Sequence, residues 1–130
     1  MTDIVELSFP VMADLVVLAR LAASTVATRA GFDVEEIEDL KLAVDELCVS
    51  LVHERTDGTL ALQFIQDGDM VEVSCTYLPI PGGTVEGQSV PPTEGLSERI
   101  LDALVDEHGN DLRDGLPRAW LRKRRARQRA

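Results

Sequence analysis

The segment over residues 32–52, FDVEEIEDLKLAVDELCVSLV, sets the tightest limit on the architecture available to this chain. Ile37, Leu40, Ala43, Val44, Leu47 and Leu51 recur at steps of three and four, so they form one apolar stripe along a helix. Asp33, followed three residues later by Glu36, has the form of a capping box. Glu35, Glu36, Glu38 and Asp39 add negative charge where the helix dipole is positive. The pattern predicts a helix from about 34 to 54. A stripe of this width needs an apolar surface to lie on, and the rest of the chain must supply it.

Residues 3–9, DIVELSF, alternate apolar and polar and predict a first strand, which Pro10 ends or hands on to a helix. From 11 to 29, Val11, Leu15, Leu18, Ala22 and Val26 recur at helical spacing, and Gly31 supplies a stop. After the turn at Asp57-Gly58, two alternating runs at 59–66 and 70–77 flank Asp67-Gly68-Asp69, a strong hairpin signal. Residues 79–95 are rich in proline and glycine and read as one long loop. Leu96, Ile100, Leu101, Leu104 and Val105 mark a third helix closed by Gly109. Two short strands follow at 110–113 and 116–123, turning at Asp114-Gly115. The order β-α-α-β-β-loop-α-β-β predicts an α+β fold: a two-layer sandwich of a mixed, mostly antiparallel sheet with three helices on one face. The expected organisation is a single domain over 1–124 and a basic, flexible tail over 125–130.

The 130 residues, 45% hydrophobic, are enough for one core and leave no room for a second catalytic domain. The 23 acidic residues against 13 basic ones give a net charge of -10. That balance argues against coating nucleic acid or an anionic membrane. The charge is uneven: residues 118–130 hold seven of the basic side chains and no acid, which leaves residues 1–117 with six basic against 23 acidic, or -17. Charged residues interrupt every apolar stretch well short of a bilayer-spanning run of ~20. Asp3 and Glu6 stand where a secretory leader is basic, so the expected compartment is the cytoplasm. Cys48 and Cys75 lack a partner at metal-ligand spacing and read as buried thiols. With only His53 and His108, and no HxxxH or HExxH, no transition metal is expected.

Asp39, Leu42, Glu46, Ser50 and His53 share a second stripe on the predicted long helix. A carboxylate and a hydroxyl one turn apart face either a cleft or open solvent; spacing alone favours solvent. The run LKLAVDELCVSLV, with Leu40, Leu42, Ala43, Val44 and Glu46, resembles the N-box helix of the anti-sigma-factor serine kinases of the GHKL (histidine-kinase-like ATPase) superfamily. The element order along nearly the whole chain is similar too, and residues 101–106 resemble the Leu-x-x-Leu-x-Asp end of that family's last helix. The resemblance implies the GHKL sandwich fold, Glu46 as the general base for an attacking serine hydroxyl, and a magnesium ligand at the position of Ser50.

The sequence departs from that family in three places. Ser50 replaces the asparagine, so a shorter hydroxyl stands where an amide carbonyl would hold magnesium. The nucleotide loop Asp-x-Gly-x-Gly has no aspartate between Ser74 and Gly83. The Gly-x-Gly before the last helix is reduced to Gly95, preceded by Glu94, whose charge opposes a phosphate. Glu46, Ser50 and Gly95 are therefore the candidate catalytic, metal and nucleotide positions in a site expected to bind ATP and Mg weakly or not at all. The implied function is an anti-sigma factor that sequesters an RNA polymerase sigma factor and exchanges it for an anti-anti-sigma (STAS-domain) protein. The alternative is an active ATP-dependent serine/threonine kinase that phosphorylates that anti-anti-sigma protein. Neither a membrane nor direct nucleic-acid contact is expected; a homodimer through Val16 and Val17 of the first helix is.

Overall fold

The computed structural model describes residues 2–52, 55–81 and 95–126. The elements are β1 (Thr2–Pro10), a 3-10 turn (Ala13–Leu15), α1 (Val16–Arg29), α2 (Val34–Val52), β2 (Thr59–Asp67), β3 (Met70–Leu78), α3 (Leu96–Leu104), β4 (Glu107–Arg113) and β5 (Leu116–Arg124). The strands form one five-stranded sheet in the order β1-β2-β3-β5-β4. Every neighbouring pair is antiparallel, so the expected mixed component is absent among the described residues. The α+β architecture is the one the element order predicts, and it is compatible with a GHKL-type sandwich.

α2 begins as its capping box requires. Asp33 N–H donates to Glu36 Oε1 at 2.9 Å and Glu36 N–H donates to Asp33 Oδ1 at 2.8 Å, satisfying two otherwise orphaned donors. Its buried stripe is Leu40, Ala43, Val44, Leu47, Cys48 and Leu51, with Ile37 packed against the core's edge. The stripe lies over the inward side chains of the sheet: Phe9, Leu60, Leu62, Phe64, Val71, Val73, Cys75, Tyr77, Ala119 and Leu121, all buried. Cys48 and Cys75 are free, buried thiols in this core. The neighbouring Cys48 sulfur and burial push the Cys75 thiol well above its ordinary value.

Three predicted boundaries move, each for a backbone reason. The first helix starts at Val16, not Val11, because the Val11 N–H donates to Gly58 O at 2.9 Å and extends the sheet-side pairing. Its core face is Ala19, Ala23, Val26 and Ala27, while Leu18 is 38% exposed. α1 is apolar nearly all round, so periodicity did not select a face; packing against α2 favoured the small residues. The third helix ends at Leu104: Val105 is extended (φ -133°, ψ 166°), and the Asp106 N–H donates to Arg122 O at 3.0 Å. Gly109 therefore sits inside β4, which begins at Glu107 rather than Asn110. The β4–β5 turn does use Asp114 and Gly115, both at positive φ (52° and 80°), as a two-residue hairpin loop demands.

The outward face of the sheet is tied by ion pairs that follow the strand register. Arg122 bridges Glu72 (2.8 Å) and Glu107 (3.2 Å), its partners on either side. Arg118 makes two bonds to its partner Asp111 at 2.8 and 2.7 Å. Lys123 Nζ donates to Leu104 O at 2.6 Å, and the Arg125 and Ala126 amides donate to Asp69 O and Glu36 Oε2. No helix among the described residues is long and apolar enough to cross a membrane.

Candidate functional site

The outer side of α2 carries the second stripe. Leu42 and Val49 are 54% and 60% exposed, unusual for large aliphatic side chains on a central helix. Asp39, Asp45, Glu46 and Ser50 lie half-buried along the same helix, and His53 falls outside the described residues. α1 flanks α2 through Arg20, whose Nε approaches Asp45 Oδ1 at 2.9 Å. Both atoms are sealed from solvent and the contact is an ion pair without hydrogen-bond alignment. Burial raises the Asp45 carboxyl above its usual range; Arg20 opposes that shift, the adjacent Glu46 adds to it, and Lys41 lowers it.

α3 flanks the opposite side. Gly95 starts it at φ 63°, ψ -114°, a conformation that suits glycine, although a Cβ there would meet nothing within 4 Å. Two residues on, the Ser97 hydroxyl donates to Glu46 Oε1 across the α2–α3 seam. Between the helices lies a cleft of 480 Å³ lined by Leu42, Asp45, Glu46, Ile100, Ala103 and Leu104. The structure thus brings Glu46 and the Gly95 end of α3 together and does not bring Ser50 to them as a ligand. The Ser50 hydroxyl donates to Leu47 O at 2.8 Å, within its own helix.

Among the described residues, this donor set is a poor match for a magnesium triphosphate. The cleft is lined by four apolar side chains and two carboxylates, of which Asp45 is paired with Arg20 and Glu46 has no cation beside it in that lining, so phosphate would meet charge of its own sign at Glu46. The metal position holds a single hydroxyl, whose proton goes to Leu47 O while its lone pairs stay free, in place of the longer amide carbonyl. Among the described residues no group of three or more His, Cys, Asp or Glu side chains is placed to hold a metal ion. Where the family's nucleotide loop begins, Ser74, Cys75, Thr76 and Tyr77 are instead buried residues of β3. Tyr77 is fixed there by its hydroxyl bond to Asp57 O (3.1 Å) and by Arg55, 4.2 Å from its ring centre. Gly82, Gly83 and Glu94 lie outside the described residues.

Reasoning from sequence marked Glu46 but missed Ser97 and Arg20. The signal for Ser97 was present in Gly95-Leu96-Ser97, where serine stands in place of the second glycine of a Gly-x-Gly. Arg20 stands out only as the charge that interrupts the apolar run 16–23, which gives no partner, because that partner lies on another helix.

No family model matches the chain. Among curated proteins it is similar to the serine-protein kinase RsbW of Bacillus pumilus, 38% identical over 77 residues that cover 55% of this chain and 48% of that protein. The RsbW kinase of Bacillus subtilis is 37% identical over 75 residues, 55% of this chain and 47% of that protein. That of Listeria monocytogenes is 38% identical over 77 residues, 56% and 49% respectively. The chain spans about half the length of the curated relatives it matches.

Proposed function

We propose that this protein is an anti-sigma factor related to the RsbW serine-protein kinases, one that binds and sequesters an RNA polymerase sigma factor and has weak or lost ATP binding. The observation that carries the second half of this reading is the α2–α3 cleft, where Glu46 is engaged by Ser97, Ser50 bonds its own helix, and the lining presents acid without a cation. The first half rests on the similarity to kinases of that name and on the charge of the body. At -17 over residues 1–117, six basic against 23 acidic side chains, the molecule attracts the basic, DNA-binding surfaces of a sigma factor and speeds their encounter. Release then follows exchange with an anti-anti-sigma protein rather than phosphorylation. The GHKL fold, a homodimer and a cytoplasmic location belong to the same reading.

Size-exclusion chromatography of the protein mixed with each sigma factor of its host tests the proposal. One stable complex is expected, and failure with all of them would sink it. The second reading, a working serine kinase with Glu46 as base, is favoured by the name that the relatives carry. Calorimetry with Mg-ATP separates the two: no heat at millimolar nucleotide is expected, and micromolar affinity would replace the first reading with the second.

A further inference from the structure

α3 is held unevenly. Its C-terminal half is anchored three ways: Leu101 is buried, Asp102 pairs with His108 at 2.6 Å, and the Leu104 carbonyl accepts from Lys123 at 2.6 Å. Its first turn has no side-chain cap at Gly95, and Leu96 is 73% exposed. Among the described residues, the side-chain hydrogen bond from that turn is the one from Ser97 to Glu46.

We propose that Ser97 is a latch on the α2–α3 cleft: its hydroxyl occupies Glu46 and pins the first turn of α3 to α2, so the cleft opens at that end only when the bond breaks. A hydroxyl bound to a carboxylate is stronger than a neutral pair, and here it is half-buried between helices, where water competes poorly. The contact uses one of the two carboxylate oxygens to which an incoming serine hydroxyl would bond. With the bond broken, the first turn swings about the anchored half, and the wall formed by Ile100 moves away from Leu42 and Asp45. A glycine or alanine at position 97 has no hydroxyl and cannot make the latch. The inference rests on reading the cleft as a degenerate nucleotide site and adds what closes it.

Amide hydrogen exchange on the full chain tests the latch through a double-mutant cycle of Ser97→Ala, Glu46→Ala and both together. Each single variant is expected to speed exchange at Arg99, Ile100 and Leu101 about tenfold, with the double variant no faster than either. Glu46→Gln, which keeps an acceptor, should fall between wild type and Glu46→Ala. The amides of Val44 and Leu47, buried residues of α2, report on the core; their protection should be unchanged and show that each variant is folded. Unaltered exchange in the single variants, or additive effects in the double, would overturn the proposal. Mg-ATP titrated into the wild type keeps the two readings distinct: tight binding removes the degenerate-site reading, while the exchange cycle alone decides the latch.

Discussion

A Cβ built on Gly109 would lie 2.9 Å from the Trp120 ring, directly across the β4–β5 pair. The ring is also flanked by the Arg122 guanidinium, 4.8 Å from its centre. Gly109→Ala should therefore displace the indole and cost about 1–3 kcal/mol, read as a lower urea midpoint at an unchanged denaturant slope. Glu46 and Ser97 show how far single-residue reasoning reaches. Helical spacing put Glu46 beside the core stripe, but its bond to Ser97 spans 51 residues of chain and depends on where α3 docks. Ser50 was legible as a residue type and not as a rotamer: its hydroxyl turns to its own helix, a competition between side chain and backbone that spacing does not resolve.

Among the secondary-structure elements, the capping box of α2 makes a direct prediction. Asp33→Ala removes the acceptor for the Glu36 amide and should lower stability by about 0.5–2 kcal/mol, measured by thermal or urea unfolding. The β4–β5 hairpin gives a pH dependence. The hydrogen bonds from Arg118 hold the Asp111 carboxyl below its ordinary range, against a smaller opposing effect of burial, and the charges of Arg118 and Arg113 act in the same direction as those bonds. A carboxyl depressed in the folded state stabilises it above the unfolded pKa of about 3.9 and loses that contribution as pH falls through the folded value. Asp111→Asn should therefore narrow the stability difference between neutral and acid pH relative to wild type, as read in acid titrations of urea unfolding. α2, the β2–β3 hairpin and the β4–β5 turn were legible because each rests on local periodicity or turn chemistry. α1 was placed but not oriented, since a helix with apolar residues on most of its sides leaves its buried face to be chosen by its neighbours.

Across the full domain, the basic residues of β5 are structural. Arg118, Arg122 and Lys123 are committed to β4, β3 and the end of α3, and Arg124 lies 3.8 Å from Asp69. These charges are drawn into the sheet and its edges rather than gathered into a separate basic patch, so the acidic body should steer encounter with a basic partner. Association with the proposed sigma-factor partner, followed by stopped-flow, is expected to slow markedly as ionic strength rises from about 0.01 M to about 0.15 M, where the screening length falls from about 30 to about 8 Å. A rate independent of salt would detach the acidity from recognition. Local patterns along the chain were enough to set the elements, the capped central helix, the hairpins and the two-layer α+β class, because hydrophobic period, turn residues and caps act over a few positions. Packing in three dimensions was needed to choose the buried face of α1, to make Gly109 the space for Trp120, to engage the basic C-terminal residues with the sheet, and to bring Ser97 to Glu46. Each of these is a contact between segments or strands brought together by the fold, and no local period, cap or turn encodes which partner will be there.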